Sequence, residues 1–201
     1  MRVAALIIGI DGWEKYTLPL VESIMEHEPT CDIFVIDNAS AQPYPALPNV
    51  YRTERLCYSA AINTAAKLAG NAAWYIVLSN DVLCTGPFAH ILADAGDLVV
   101  GPCLKQNMGW TYLEGWCVAI PAKVWDALKG WDENYQVSSW EDVDFSVSAL
   151  EHGFNLGHCP DFPFVHLDQR QRFSLVSNYW ASESHNVAYF HQKHGEPWRK
   201  A

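Results

Sequence analysis

The stretch VAALIIGI, residues 3–10, indicates the fold class of this 201-residue chain. It is a continuous apolar run rich in branched side chains, which is typical of a strand buried on both faces of a sheet. Further runs of this kind are found at 32–37, 49–53, 74–79 and 97–102. Helical patterns lie between most of them, at 13–26, 59–69 and 87–95. Alternating strands and helices predict an α/β fold in which a mostly parallel, doubly wound central sheet lies between two helix layers.

The chain after residue 102 follows a different pattern. Residues 105–116, KQNMGWTYLEGW, are aromatic-rich and aperiodic, so they predict no regular element. The stretch WCVAI, 116–120, predicts a strand, and a terminal helix is expected over 177–193. Because no repeat, low-complexity tract or linker divides the sequence, we expect residues 1–201 to form a single domain.

The composition is that of a globular protein, and its charge argues against a nucleic-acid partner. Half of the residues are hydrophobic and 18% are charged, whereas disordered chains are poor in apolar residues. The formal net charge of −10 argues against a nucleic-acid partner, because binding to a phosphate backbone depends on cationic contacts. A small phosphorylated ligand remains open, since a bound divalent cation can reverse the local field.

Cysteine usage and hydropathy indicate a cytoplasmic protein. The six cysteines are scattered with no CxxC pair, which favours free thiols in a reducing compartment. The apolar run near the N-terminus ends at Asp11 without a small-residue cleavage pattern, so we interpret it as a strand and not as a signal peptide. No segment approaches the length of a membrane span. The oligomeric state cannot be predicted from these features.

Acidic residues follow three of the predicted strands. Asp11 comes after the first strand, Asp37 ends the second, and Asn80 and Asp81 follow the run at 74–79. Ligands of open α/β sheets bind at the carboxyl ends of the strands, so these side chains are candidates for one site. Neither GxGxxG nor GxxxxGK[ST] occurs, so if a nucleotide binds here, a carboxylate-held Mg²⁺ or Mn²⁺ is the alternative means of neutralising its phosphates.

A second acidic cluster lies in SSWEDVDFSVSALEHG, residues 138–153, where an amphipathic helix pattern begins with Glu141, Asp142 and Asp144. Two interpretations are open for these acids. Acids in a first helical turn are favoured by the helix dipole, and Ser139 is a candidate N-cap. Alternatively, a carboxylate in a cleft acts as a general base or holds a cation.

Several motifs, taken in chain order, resemble the family 2 glycosyltransferases of the GT-A fold. They are VIDNAS (35–40), LSND (78–81), EGWCVAIPAKVWDALKGWDENY (114–135), WEDVDF (140–145) and a strand ending in His166. The stretch SESHNVAYFHQKHG, 182–195, is similar to the tail of rhamnosyltransferase-like members. The resemblance runs over nearly the whole chain and implies a GT-A domain. Within it, residues 1–102 would bind the nucleotide sugar, 103–176 would form the acceptor and catalytic half, and 177–201 would form a C-terminal helix.

The resemblance also implies an activity and roles for individual residues. The activity would be inverting, metal-assisted transfer of a hexose-type sugar from a nucleoside-diphosphate sugar, with UDP- or dTDP-sugars favoured, to an acceptor hydroxyl. Asp37 would contact the nucleobase or ribose, with Asp11 and Asn80 beside the donor. Asp81 would be the last residue of the metal-binding DxD motif. Asp142 would be the base, with Glu141 as a second participant near the acceptor.

One position departs from the family pattern, because Ser79 replaces the first carboxylate of DxD. His166 matches a family position that can complete the coordination of Mn²⁺ or Mg²⁺, and a histidine satisfied at a strand end is the plain alternative. Arg170 and Arg172 are candidates to close over the diphosphate or form a solvated turn. The aromatic side chains near the acidic cluster are candidates to stack on an acceptor sugar or to pack in the core. These aromatics are Trp110, Tyr112, Trp116 and Trp140.

Two rival functions remain open at this point. A nucleotidyltransferase on a similar scaffold also needs strand-end acids and a metal, but its activation loop is rich in glycine and basic residues, unlike IIGIDGWEKY at 7–16. A non-catalytic protein that binds nucleotide sugars or glycans is suggested by Ser79. The sequence identifies neither the sugar nor the acceptor.

Overall fold

The computed structural model describes residues 1–167 and 179–196, and its strands follow the apolar runs of the sequence. The strands are β1 (Val3–Gly9), β2 (Asp32–Asn38), β3 (Val50–Thr53), β4 (Trp74–Ser79), β5 (Val82–Cys84), β6 (Val99–Gly101), β7 (Leu104–Asn107), β8 (Trp110–Leu113), β9 (Cys117–Pro121), β10 (Leu156–His158) and β11 (Phe164–His166). A π-helical turn (Trp13–Thr17) leads into the first helix. The helices are α1 (Leu18–His27), α2 (Tyr58–Ala69), α3 (Ala89–Ala95), α4 (Ala122–Leu128), α5 (Glu141–Glu151) and α6 (Tyr179–His194).

A seven-stranded sheet with the order β10-β6-β9-β4-β1-β2-β3 forms the centre of the fold. β1 pairs in parallel with both β2 and β4, and β3 and β10 join in parallel at the two edges. β9 runs antiparallel between β4 and β6, with Cys117 opposite Leu78. The prediction of a mostly parallel α/β sheet is confirmed. Because β9 is reversed, the residues that precede it lie at the edge where the parallel strands end.

The side chains of the central strands alternate between two hydrophobic layers. Leu6 of β1 packs in a layer that includes residues of α2, α4 and α5. Ile7, its neighbour, packs in a layer that includes residues of α1 and α3. Both side chains are fully buried, and each such residue contributes about 1.5–3 kcal/mol relative to an exposed position. The sheet therefore lies between two helix layers, as the sequence predicts.

The β7–β8 hairpin corrects the sequence prediction, which assigned no regular element to residues 105–116. Asn107 and Trp110 are paired across a two-residue turn of Met108 and Gly109. Both turn residues have positive φ, at 50° and 83°, as a tight hairpin with right-handed twist requires. The hairpin rests on α5, where Ser146 Oγ accepts the N–H of Leu113 at 3.1 Å.

Helix α6 packs against α5 through a third hydrophobic cluster. Its Phe190 is fully buried and packs with Tyr135, Trp140, Val143 and Val147. This contact places the C-terminal helix beside the acidic start of α5. Among the described residues, none of the helices combines the length and the hydropathy that a membrane crossing requires.

Candidate active site

A cleft of about 350 Å³ lies at the carboxyl ends of β1 and β4, at the edge where the sequence places its strand-end acids. One wall is formed by residues that follow these strands, and the other by the β7–β8 hairpin and the start of α5. The described lining includes the carboxylates of Asp81, Glu114, Glu141, Asp142 and Glu183. Acids from segments that are distant in sequence therefore meet in one cavity.

Asp81 and His166 meet in this cleft because two short strands pair. β5 begins directly after Asp81 and runs antiparallel to β11, which sets His166 opposite Val82. The Nε2 of His166 lies 3.2 Å from Oδ1 of Asp81, and their side chains are only 17% and 7% exposed. The ring of Trp116 stacks on the imidazole with 4.9 Å between the ring centroids, which fixes the plane of the histidine. The structure thus brings the two candidate metal ligands together.

Asn80 and Asp11 connect the loops beside the cleft. The Nδ2 of Asn80 lies 3.2 Å from both the carbonyl oxygen of Asp11 and the hydroxyl of Tyr44. The carboxylate of Asp11 accepts the N–H of Ala41 at 2.7 Å. A Cβ on Gly9 would lie 2.4 Å from the Tyr44 hydroxyl, so this close packing requires glycine. Asn80 belongs to the described lining of the cleft, whereas Asp11 does not.

Asp37 lies behind the cleft and is enclosed by donors of its own protein. Its carboxylate accepts the backbone N–H groups of Ser40 and Tyr44, at 2.9 and 3.1 Å, and pairs with Arg52 at 2.7 Å. Its side chain is fully buried. Burial alone would raise the pKa of Asp37, but the hydrogen bonds from Ser40, Tyr44 and Arg52 outweigh it and lower that pKa. In this structure Asp37 orders the loop after β2, and the next residue, Asn38, lines the cleft.

The start of α5 differs from the predicted cap. The helix begins at Glu141, and the cap position is held by Trp140 in a left-handed conformation with φ of 70°. No side chain caps the helix, so the prediction of Ser139 as N-cap is wrong. Ser139 also has positive φ, at 100°, and its carbonyl oxygen accepts a hydrogen bond from Asn186 of α6. Tertiary contacts therefore hold this helix start where a local cap is missing.

Asp142 faces the cleft and is held by two backbone amides. Its Oδ2 accepts the N–H of Gly115 and its Oδ1 accepts the N–H of Val143, both at 2.9 Å. A Cβ on Gly115 would lie 3.0 Å from the Cβ of Asp142, so glycine permits this approach. The neighbouring Glu141 is 7% exposed and also lines the cleft. The two candidate catalytic acids thus occupy the same wall.

Tyr58, at the start of α2, shows how the acids of both walls converge. Its hydroxyl donates to the carbonyl oxygen of Gly115 at 3.2 Å. The pKa of Tyr58 is raised well above its usual range, first by burial and then by the negative charges of Glu141, Asp81 and Asp142. One phenol therefore lies within electrostatic reach of the candidate metal-binding acid and of both candidate catalytic acids.

Asp144 points away from the cleft into a buried cluster with α6. Its carboxylate accepts the Tyr135 hydroxyl at 3.0 Å, lies 2.7 Å from Nε2 of His194, and pairs with Lys193 at 2.9 Å. Lys193 also pairs with Asp132 at 2.7 Å. The side chain of Asp144 is 3% exposed. This acid docks the C-terminal helix and takes no part in the described lining of the cleft.

The candidate acceptor aromatics divide into two groups. Tyr112, Trp116 and Trp140 line the cleft. Trp140 is nevertheless 7% exposed and packs on Phe190 with 5.1 Å between the ring centroids. Trp110 is outside the described lining, because its ring packs edge-on against Phe190 on the far side of the hairpin.

Some residues of the cleft escaped the sequence interpretation. Glu114, Arg55 and Glu183 line it, and Glu183 reaches it from α6. Glu114 is the first residue of the EGW motif, which marks its segment, but nothing in the local sequence of the other two indicates a site. Arg170 and Arg172, the candidate diphosphate clamps, lie outside the described residues.

The residues present fit a divalent cation that shares its coordination with a substrate diphosphate. Among the described residues there is no group of three or more acidic, histidine or cysteine side chains that could hold a metal ion alone. Asp81 and His166 supply one carboxylate oxygen and one imidazole nitrogen, and the remaining positions suit phosphate oxygens and water. The Oγ of Ser79 is buried without a hydrogen-bond partner in the described structure, close to this pair at the cleft wall.

Comparisons with known proteins identify the fold. No protein-family model matches the chain, and no curated protein sequence matches it. A solved mannosyltransferase of Pyrobaculum calidifontis, in complex with GDP-mannose and Mn²⁺, is 15% identical with a TM-score of 0.69 and matches 96% of this chain. GalNAc-T7 with UDP, GalNAc and Mn²⁺ is 14% identical with a TM-score of 0.71 and matches 82% of this chain.

A third structure is the catalytic domain of Drosophila β1,4-galactosyltransferase 7 with xylobiose, which is 14% identical with a TM-score of 0.58 over 86% of this chain. The chain spans 63% of the Pyrobaculum protein and 43% of GalNAc-T7, and 73% of the Drosophila domain. The predicted GT-A fold is therefore confirmed, since these structures are GT-A glycosyltransferases. At such low identity the likeness establishes the fold and leaves the activity to the site.

Proposed function

We propose that this protein is an inverting glycosyltransferase that moves a sugar from a nucleoside-diphosphate sugar to an acceptor hydroxyl. The observation that carries the proposal is the meeting of two acidic groups in one cleft. Asp81 lies 3.2 Å from His166 on one side, and Asp142 with Glu141 lies on the α5 side. The solved structures of the same fold with bound donors support it, because they contain GDP-mannose or UDP together with Mn²⁺.

The base in this proposal is Asp142. Each of its oxygens accepts one backbone N–H, and its carboxylate lines the cleft, where an acceptor hydroxyl can reach it. The two amides fix the carboxylate, so that it can take the proton while the acceptor oxygen attacks the anomeric carbon from the face opposite the diphosphate. Glu141 is placed to hydrogen-bond the acceptor beside it.

Asp81 and His166 hold Mn²⁺ or Mg²⁺ in this proposal, and such an ion neutralises charge on the departing diphosphate. Asn80 and Asn38 form the floor of the donor side, and Arg55 supplies a positive charge there. Asp37 acts by ordering the loop after β2, which is a more indirect role than the nucleobase or ribose contact expected from the sequence. UDP- or dTDP-sugars are the preferred donors in this proposal, as the resemblance of the sequence implies.

The test is calorimetry of nucleoside diphosphates with and without Mn²⁺. UDP or dTDP should bind more tightly than ADP or GDP, and Mn²⁺ should strengthen the binding. Asp81→Ala should weaken the Mn²⁺-dependent binding by about 10- to 100-fold, the usual effect of disturbing a metal site. Asp97→Ala is the matched control, because Asp97 is an exposed acid paired with Lys123 away from the cleft.

Each alternative has its own outcome in this experiment. Unchanged Mn²⁺-dependent affinity in a folded Asp81→Ala variant would remove Asp81 from the site. A clear preference for ATP over UDP and dTDP would favour a nucleotidyltransferase. Tight binding of a nucleotide sugar without transfer to any hydroxyl, water included, would favour a non-catalytic binding protein.

The cytoplasmic location is part of the proposal, supported by six cysteines that are all free thiols.

A further inference from the structure

The segment that leads into α5 holds an unfavourable backbone conformation. Val137, Ser139 and Trp140 all have positive φ, at 55°, 100° and 70°. Residues with side chains rarely adopt such angles, and a β-branched valine does so least of all. Conformations of this kind persist only where surrounding contacts impose them, and they are found preferentially at functional sites.

Two neighbouring helices impose this conformation on residues 136–140. At one side, the N–H of Tyr58 at the start of α2 donates to the carbonyl oxygen of Val137 at 2.7 Å. At the other side lies Asn186 of α6, which is fully buried. Its Oδ1 accepts the N–H of Gln136 at 2.8 Å, and its Nδ2 donates to the carbonyl oxygens of Gln136 and Ser139, both at 2.9 Å.

The chemistry of these three bonds explains why an asparagine is needed. The segment offers one N–H and two carbonyl oxygens to the same small buried space, so the partner must combine an acceptor with a two-hydrogen donor. Only a carboxamide does this on one flat group. Aspartate has the same shape but cannot donate, and alanine would leave all three backbone groups without this partner.

The segment held in this way forms part of the cleft. Residues 138–140 line it, and Glu141 and Asp142 follow directly at the start of α5. Asn186 itself is outside the described lining, so it reaches the cleft only through the segment. The docking of α6 does not depend on Asn186 alone, because Phe190 packs in the core and Lys193 pairs with Asp132 and Asp144 further along the helix.

We infer that Asn186 is a positioning residue that fixes the 136–140 segment and thereby sets Trp140, Glu141 and Asp142 in the cleft. Its effect on turnover rests on the proposed glycosyl transfer, whereas its effect on the segment does not. The inference gives the C-terminal helix a second contribution to the cleft, in addition to Glu183, which lines it directly.

The experiment compares hydrogen exchange of the 136–140 amides in the wild-type protein and three variants. Asn186→Ala and Asn186→Asp should both speed exchange of this segment by on the order of tenfold, since alanine loses all three hydrogen bonds and aspartate loses the two that Nδ2 donates. Lys193→Met, on the same helix, should speed exchange near the end of α6 and leave residues 136–140 at the wild-type rate. Asn186→Asp keeps the side-chain volume, so it separates the effect of lost hydrogen bonds from that of lost packing. It also provides the test if Asn186→Ala does not fold.

A kinetic measurement on the same variants separates positioning from stability. With a nucleotide sugar and Mn²⁺, both Asn186 variants should lower kcat by about tenfold or more while the affinity for the nucleoside diphosphate stays near the wild-type value. Lys193→Met should leave kcat unchanged at a temperature where it is folded. If segment exchange rises but no variant or wild-type protein transfers sugar, the positioning role stands and the proposed function fails.

Two results would overturn the inference. One is an Asn186→Asp variant with wild-type exchange in residues 136–140, because the carboxamide hydrogens would then be dispensable. The other is equal loss of protection over the segment and over the whole of α6 in both Asn186 variants, because Asn186 would then serve only to dock the helix.

Discussion

The two sides of α5 show how one acidic cluster serves two purposes. Asp142, on the cleft side, accepts the backbone N–H groups of Gly115 and Val143 and lines the cleft. Asp144, two residues later, is surrounded by Tyr135, Lys193 and His194. Residues two apart on a helix diverge by roughly 200°, so the sequence spacing alone separates their directions. The structure accordingly places Asp142 in the described lining of the cleft and Asp144 in the contact with α6.

The strand ends repeat this contrast. Asp37 is the second-last residue of β2 and Asp81 follows β4, so both lie at the same edge of the sheet. Asp37 is fully buried and bonded to its own loop and to Arg52, whereas Asp81 lines the cleft beside His166. An acid at a strand end is therefore a candidate for ligand binding only when the protein has left its oxygens accessible.

The largest expected effect separates Asp142 from Asp144. Asp142→Asn keeps the shape but removes the basicity, and it should lower kcat by about 10²–10⁴-fold with donor binding nearly unchanged. Asp144→Asn should lower stability and leave kcat close to the wild-type value. Turnover at saturating donor, together with thermal unfolding of both variants, measures the difference. A dead Asp144→Asn and an active Asp142→Asn would reverse the assignment of the two sides.

Lys193→Met measures how much the ion pairs of Asp144 and Asp132 contribute to stability. This change keeps the apolar stem but removes the ammonium that pairs with Asp132 and Asp144, so the free energy of unfolding should fall by about 1–3 kcal/mol. Urea unfolding measures it. Lys123→Met is the control, because its pair with Asp97 is exposed on both sides and should contribute less than about 1 kcal/mol. Equal losses in the two variants would mean that burial of Asp144 adds nothing.

The smallest expected effect is a pH dependence of stability that comes from the structural acids. Hydrogen bonds outweigh burial and lower the pKa of both Asp37 and Asp132 below the ordinary value of 3.8. Their stabilisation is therefore complete above that value and is lost as the pH falls through the lowered pKa values. The pKa of Lys193 is raised above 10.5, because its bonds to Asp132 and Asp144 outweigh burial, so its contribution is lost as the pH rises through the raised pKa.

Two variants show which residues cause the loss of stability at low pH (the acid limb) and at high pH (the alkaline limb). Asp37→Asn should weaken the acid limb and leave the alkaline limb, whereas Lys193→Met should remove its own alkaline limb and reduce the acid limb of Asp132. Urea midpoints measured from pH 3 to pH 11 test both. An unchanged acid limb in Asp37→Asn would show that its enclosure by Ser40, Tyr44 and Arg52 contributes no pH-dependent stability.

The strands of the sheet were predictable because each can be identified from its own short stretch of sequence. Runs such as VAALIIGI are short, apolar and rich in branched side chains, and this combination favours a strand buried on both faces. The β7–β8 hairpin was missed because its turn, Met108-Gly109, lacks the usual Asn-Gly or Asp-Gly pair. The sequence did not predict that β9 runs antiparallel between β4 and β6, because the pattern of a strand shows neither its direction nor its neighbours in the sheet.

The candidate site was predictable in its chemistry and less so in its geometry. The sequence indicated Asp81, His166 and Asp142, which the structure brings to one cleft. It did not reveal that Asp37 would be enclosed, because the enclosing Arg52 lies on another strand. Nor did it reveal the role of Asn186, whose partners are about 50 residues away in the chain.

The attachment of the 136–140 segment to α6 has a consequence for biosynthesis. The bonds from Asn186 join residues 47 and 50 positions apart, and α6 follows every strand of the sheet in the chain. Synthesis proceeds from the N-terminus and earlier parts of a chain can fold first, so the sheet can form on the ribosome before α6 exists. The nascent protein would then hold a folded scaffold whose cleft is still unfinished. Under the proposed function, the order of translation would delay sugar transfer until α6 had emerged and the 136–140 segment was fixed.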